Sequence, residues 1–337
     1  MLMSFGTLAA SAPAKRPLVI TPDVPLKARP SLGNYVFGLA SGPPWSMEFA
    51  FAGQLAALAS MGQEGGPHGE SGPRIAPLVT EAGGRTISDL LSNSTTDLAI
   101  VPLPALVRAA KERPSIKARV AYVAPLYLQE VHVVARDDID DMAKLKGRRV
   151  ALGAREGVGS MLFEDLGIDV TPVDMPPDAA LSRLASGEVD AVVLVSGKPI
   201  SALAGIDAQD GLHLVPIPYA ESLQGDFLPT DFTRSDYPGL VRGDTSVSLA
   251  VQSVLAAYVW PSRSERAQLL STLITSVLDH IADPNAHFGV RRIRDVNWAA
   301  TLPGWKRLGA SQRWLDSHVK PRLDATGAAS AQDKGIR

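Results

Sequence analysis

Residue types suited to holding a small anion recur in this chain at the ends of apolar runs. The most developed case is LKGRRVALGAREGVGSMLFEDL, residues 145–166. A basic turn (Lys146, Arg148, Arg149) feeds the apolar run Val150-Ala151-Leu152, a small-residue loop spans 153–160, and helical sequence follows. Strand, loop and helix in that order expose backbone N–H groups at the helix start, where the helix dipole favours negative charge. The glycines fit neither nucleotide motif. Gly153 is followed five residues later by Val158 rather than by Gly-Lys, and Gly157-Val158-Gly159 meets Leu162 where a third glycine is required. The chemistry expected is capture of a carboxylate rather than of a nucleotide.

Within that loop Arg155, Gly157, Gly159 and Ser160 are the candidate ligand contacts, although Glu156 beside Arg155 is equally able to join a surface ion pair. Three other loops offer similar chemistry. Ser41, Gly42, Trp45 and Ser46 stand where a helix opens, and supply either N–H and hydroxyl donors with a tryptophan wall, or an N-cap and a core tryptophan. Gly83, Gly84, Arg85 and Thr86 follow a short strand, where Arg85 is placed to pair an anion bidentately or to lie exposed on the surface. Ser196, Gly197 and Lys198 close the last strand of the second half, the lysine adding a point charge. Tyr237 is a candidate gate, with core packing as its alternative.

Catalytic chemistry finds little foothold. There is no G-x-S-x-G or H-E-x-x-H, and no cysteine for thiol or thiolate work. The six histidines are scattered (His68, His132, His213, His280, His287, His318), and the acid pairs Asp137-Asp138 and Asp140-Asp141 precede a helix whose N-terminus they favour. The expectation is a non-enzymatic protein with no catalytic residue, cofactor or metal. A net charge of −2 without a basic cluster argues against a nucleic-acid partner. No run approaches the roughly 20 apolar residues that span a bilayer. MLMSFGTLAASAPAKR has the small-residue character of the back of a secretory signal but lacks its charged start, so an exported, periplasmic protein and a retained cytoplasmic leader are both open, with export favoured.

The elements that must position these loops form a repeated plan. Strand, small-residue loop and helix at 35–59 recur at 149–166, and LLSNSTTDLAIVPLP (90–104) is matched by LASGEVDAVVLVSGKP (184–199). The 337 residues therefore read as two lobes of an α/β protein, each a small βαβ sheet with its loops at the strand C-termini, the edge where open α/β sheets bind ligands. The β-rich passage 121–135 and the apolar run 247–258 are the two crossings of a hinge. Apolar residues at Leu269, Leu270, Leu273, Ile274, Val277, Leu278 and Ile281 mark one helix face that returns to the first lobe. The division expected is a leader over 1–30, lobe 1 over 31–125 with 226–320, lobe 2 over 126–225, and a frayed tail over 321–337, in a monomer.

In this order the chain resembles the TAXI group of solute-binding proteins, the extracytoplasmic receptors of TRAP carriers. The passages that carry the resemblance are Gln129-Glu130-Val131-His132-Val133-Val134-Ala135-Arg136-Asp137, Leu145-Lys146-Gly147-Arg148-Arg149-Val150-Ala151-Leu152-Gly153-Ala154, Ser186-Gly187-Glu188-Val189-Asp190-Ala191, Ser196-Gly197-Lys198-Pro199 and Asp236-Tyr237-Pro238-Gly239. Two loops depart from the group: Ser41-Gly42-Pro43-Pro44-Trp45-Ser46 replaces a glycine-rich loop, and Arg155-Glu156-Gly157-Val158-Gly159-Ser160 replaces a Gly-Ser-Gly-Thr turn. The resemblance implies a type II periplasmic-binding fold, capture of a small organic acid or amino acid such as glutamate or 2-oxoglutarate, and delivery to a membrane permease. An ABC-importer receptor or sensory domain on the same fold, and an anion-binding transferase, are the alternatives.

Overall fold

A computed structural model describes residues 32–61, 72–80, 84–153 and 157–318. The chain opens with β1 (Val36–Ala40), α1 (Met47–Ser60), β2 (Arg74–Leu78), α2 (Gly84–Ser92), β3 (Thr96–Pro102), α3 (Leu103–Glu112) and the short α4 (Ile116–Arg119). Strand β4 (Val120–Arg136) then leads to β5 (Arg149–Ala151), α5 (Val158–Leu166), β6 (Thr171–Val173), α6 (Pro177–Ala185), β7 (Ala191–Ser196), α7 (Ser201–Ala204) and β8 (Leu212–Leu214). After β9 (Leu228–Thr233) and β10 (Thr245–Tyr258) come α8 (Glu265–Ala282), α9 (Arg292–Asp295) and α10 (Gly309–His318).

Local chemistry explains the boundaries. Ser46 caps α1 by accepting the Phe49 N–H, and Ser264 caps α8 by accepting that of Ala267. Gly167 ends α5 in the left-handed region, at φ 65°. β3 is buried along its whole length, as a strand covered on both faces must be.

The strands form one continuous sheet, in the order β2-β1-β3-β10-β4-β7-β5-β6. Its inner strands divide into two equivalent sets. In the first, β1 lies parallel to β2 and β3, and β3 pairs with the C-terminal half of β10. In the second, β5 lies parallel to β6 and β7, and β7 pairs with the C-terminal half of β4. The two long strands also pair with each other, antiparallel, from Leu249↔Val131 to Tyr258↔Val120. Each crossing strand thus serves one lobe with one half and the other lobe with the other.

The exchange of partners coincides with an irregularity. Register shifts between Gln252 and Val254, opposite Pro125, a residue with no N–H for the ladder. Side chains take over there: Gln252 Nε2 donates to the Leu126 carbonyl at 3.1 Å and Ser253 Oγ to that of Tyr127 at 2.5 Å.

Helix α8 packs as its sequence spacing predicts. Leu270, Leu273, Ile274, Val277 and Leu278 are buried with Phe37, Leu39 and Phe51 of the first lobe. One boundary needs correction. Residues 228–241, expected in lobe 1, contribute Phe232, Tyr237, Leu240 and Val241 to a cluster with Val192, Leu194 and Leu212 of the second lobe. The reason is that β9 pairs with the N-terminal half of β10, on the second lobe's side of the exchange.

Candidate functional site

The loops at the strand C-termini of both lobes meet at one cleft. The first lobe contributes Gly42, Trp45, Glu48, Thr86, Ile100 and Pro102. Gln129 of β4 forms the floor, while Leu152, Gly153, the start of α5 and Val193–Val195 of β7 form the opposite wall. The enclosed space is about 50 Å³. The walls are largely apolar, with polar side-chain atoms from Trp45, Glu48, Thr86 and Gln129.

Glu48 is the centre of the polar part. It lies in the first turn of α1 and is buried, with Oε1 accepting from Gln129 Nε2 at 2.5 Å and Oε2 accepting from Ser196 Oγ at 2.8 Å. Ser196 belongs to β7 of the second lobe, and its Oγ also accepts the N–H of Met47 at 3.0 Å. One hydroxyl therefore caps the first lobe's helix and binds the first lobe's carboxylate. Burial is the main influence on Glu48 and raises its pKa; hydrogen bonds, among them those from Ser196 and Gln129, oppose the rise. Gln129 Oε1 and the Tyr127 hydroxyl are buried with no hydrogen-bond partner.

A second contact between the lobes lies outside the cleft. Arg108 of α3 donates through Nε to Asp226 at 2.9 Å, and its other two nitrogens reach Glu164 at 3.2 Å and Asp165 at 2.5 Å at the end of α5.

The structure sorts the residues proposed from sequence. Gly42, Trp45, Thr86, Gly157 and Gly159 line the cleft. Gly159 is required there, because a Cβ would come 2.5 Å from the Leu152 carbonyl oxygen. Ser160 is half-buried in the first turn of α5, and Gly84 begins α2. The Arg85 side chain and all of Arg155 lie outside the described residues. Ser41 Oγ donates to the Leu78 carbonyl, and Ser46 performs the N-cap. Ser196 reaches the cleft's carboxylate rather than an open space, and Gly197 lies against Met47 and Arg292.

Two expectations are corrected. Lys198 points away from the cleft: its Nζ donates to the Asp231 carbonyl at 2.6 Å and to Asp236 at 3.1 Å, and lies 5.6 Å from the Phe232 ring centre. Its neighbour, the cis Lys198-Pro199 peptide, follows a backbone N–H held by Glu130 at 2.8 Å. Tyr237 is no gate, being 1% exposed in the second lobe's core. Its hydroxyl accepts the Ile200 N–H at 2.7 Å and donates to His132 Nε2 at 2.8 Å, leaving Nδ1–H for the Glu130 carbonyl. Burial keeps that imidazole neutral, with its pKa lowered to about 3.

Glu48 and Gln129 were missed. An acid in the first turn of a helix reads as compensation of the dipole, which hides any other duty. Gln129-Glu130 did carry a signal, two polar residues in the middle of a 17-residue strand that is otherwise apolar over most of its length.

Two pseudo-equivalent lobes, two strands that cross between them and a cleft at the strand C-termini define the class: a two-lobed α/β protein of type II periplasmic-binding-protein-like architecture. The model of the NMT1-like family matches residues 41–228, more than half of the 337-residue chain, and the chain belongs to that family. Among solved structures, the chain is similar to the P235GK mutant of ArgBP from T. maritima, at 17% identity and a TM-score of 0.44, over 73% of this chain and 89% of that one. It is also similar to AbpA, an amino acid ABC transporter substrate-binding protein from Streptococcus pneumoniae bound to L-arginine, at 14% identity and a TM-score of 0.42, over 73% and 88% of the two chains. The substrate-binding protein of another amino acid ABC transporter matches at 12% identity and a TM-score of 0.44, over 85% and 99%. Among the described residues, no helix is long and apolar enough to cross a membrane, and no group of three His, Asp or Glu side chains is placed to hold a metal ion.

Proposed function

We propose that this protein is a solute receptor that closes its two lobes on a small organic acid or amino acid and presents the closed form to a membrane permease. The observation that carries this reading is the cleft itself: loops from both lobes, with glycines and a helix N-terminus on one wall and a buried carboxylate on the other, converge on a single enclosed space. The lobes touch there through Ser196 and outside it through Arg108, contacts that a hinge at the β4–β10 exchange can part. The motif resemblance to TAXI receptors supports a TRAP-type permease as the partner and the periplasm as the place of work. An ABC importer uses the same capture step and is the second reading.

The test is ligand-induced stabilisation. Thermal unfolding against a panel of mono- and dicarboxylates and amino acids should show at least one compound that raises the transition, since a ligand at 100 times its Kd adds about 2.7 kcal/mol. A panel without any shift would overturn the receptor reading. Co-purification with a large TRAP-type membrane subunit, against an ABC permease with its ATPase, separates the two transport classes, and fractionation of expressing cells tests export.

A further inference from the structure

We propose that Glu48 and Gln129 form an ammonium subsite and that the ligand is a small zwitterionic amino acid whose carboxylate lies at the N-terminus of α5. This rests on the receptor reading above and narrows it from organic acids in general to ligands that carry a protonated amine.

The argument starts from what the cleft lacks. Among the described residues, the groups that hydrogen-bond the Glu48 carboxylate are neutral: the Gln129 amide, the Ser196 and Ser46 hydroxyls and its own backbone N–H. A buried carboxylate without a cation is costly, and burial already drives this one toward its protonated form. Its nearest amide adds a second unmet need, because Gln129 is 2% exposed and its Oε1 accepts no hydrogen bond. With Glu48 ionised, the Oε1 and Nε2 positions follow from the network, since an oxygen turned toward the carboxylate would set two acceptors against each other. Carboxylate and amide oxygen thus offer acceptors in one corner of a cleft that contains no described cation. An ammonium group brings three donors and a positive charge, which answers both. A carboxylate placed in that corner would meet Glu48 with like charge.

The other wall has the opposite character. Helix α5 starts at Val158, and its N-cap Gly157 supplies no side-chain hydrogen bond to the first-turn N–H groups. Gly157, Val158 and Gly159 all line the cleft, which puts this helix end at the ligand space. Acceptors at Glu48 and Gln129 and donors at the start of α5 match a zwitterion in one orientation. The space between is walled by Ile100, Leu152, Val158 and Val193, which suits a short apolar side chain and opposes a long or charged one.

Matched ligand pairs on the full-length wild-type protein test this directly. L-alanine against pyruvate and L-lactate, L-valine against 2-oxoisovalerate, and L-glutamate against 2-oxoglutarate change the amine while keeping the carboxylate. By calorimetry the amine-bearing member of the apolar pairs should bind at least about tenfold tighter, the scale of one hydrogen bond to a charged group. Glu48→Gln, confirmed folded by circular dichroism, should reduce that preference to within about threefold, and propylamine or propionate alone should bind more weakly than L-alanine. An oxo or hydroxy acid that binds as well as its amine partner overturns the ammonium subsite while leaving the receptor reading intact. Binding by none of these compounds or of the wider panel overturns both.

Discussion

Asp97 and Asp190 hold the same place in the two lobes and meet opposite surroundings. Each stands at the start of its lobe's third strand and accepts the backbone N–H of the first, from Gly38 at 3.3 Å and from Arg149 at 2.9 Å. In the first lobe the rest of the carboxylate is enclosed: Arg266 donates through Nε at 3.1 Å and Nη2 at 2.6 Å, and Trp260 through Nε1 at 3.1 Å. In the second lobe Asp190 faces a fan of half-exposed arginines, with Arg136 at 3.1 Å and Arg148 and Arg149 both at 3.6 Å. Burial is the largest influence on both and pushes both pKa values up. For Asp97 burial prevails over Arg266, Gly38 and Trp260, whereas for Asp190 the Arg149 N–H and the three guanidinium groups prevail and hold it below the usual carboxylate range. The same tie between strands can be made by one buried pair or by several wet ones. Only the buried version makes each partner depend on the other.

That difference is largest under truncation. Arg266→Ala leaves Asp97, 1% exposed, as an unpaired buried charge, and also strips the guanidinium from the Phe37 ring it covers at 4.0 Å. The expected loss is about 3–5 kcal/mol in urea unfolding. Asp190→Ala removes a partner from arginines that are 31–51% exposed and keep their water, so the expected loss is about 1–2 kcal/mol. Equal losses in the two variants would show that the lobes do not differ in this respect.

Acid pH should separate the two aspartates by sign. Asp190 has a depressed folded pKa, so its stabilisation is present above the unfolded value of about 3.9 and is lost as pH falls through the folded value. Asp97 has a raised one, so its contribution is full below about 3.9 and is lost as pH rises through the folded value. Unfolding free energies from pH 3 to pH 6 should therefore fall less steeply on the acid side in Asp190→Asn than in wild type. In Asp97→Asn a decline toward higher pH should disappear. A change of the same sign in both variants would contradict the contrast.

The sequence carried one half of this comparison. The repeat of 90–104 in 184–199 aligned the two aspartates, because strand, turn and helix chemistry is local and survives in residue types. The helix face of α8 was legible for the same reason. What surrounds each aspartate was not: Arg266 lies 169 positions from Asp97, and nothing in the residues near either one announces the pairing. The cleft shows the same limit. Turn chemistry marks the loops that line it, but the contact of Glu48 with Ser196 spans 148 positions, and nothing local singles out Glu48. The position of Lys198 after a strand points to the cleft, but it fixes where the backbone goes and not which way a long side chain turns. Of the two readings open for Tyr237, the structure gives core packing, its hydroxyl bonding a buried imidazole 105 positions away that nothing in the nearby sequence announces.

Salt should give the smallest and most selective effect. Exposed ion pairs weaken once the Debye length falls from about 10 Å at 0.1 M to about 3 Å at 1 M, whereas buried pairs are screened much less. The arginines around Asp190 are open to counter-ions, and three of them share one carboxylate, so each is also pushed apart from the others; added salt weakens the attraction and the repulsion together. The net cost of Asp190→Ala should shrink by only a few tenths of a kcal/mol between those salt concentrations. The cost of Arg266→Ala should stay the same within error, because Arg266 is 12% exposed and its carboxylate is shut off from solvent. Parallel urea titrations at the two salt concentrations measure both. A salt-sensitive Arg266 would mean that water reaches Asp97, and the enclosed pair would then belong with the open one.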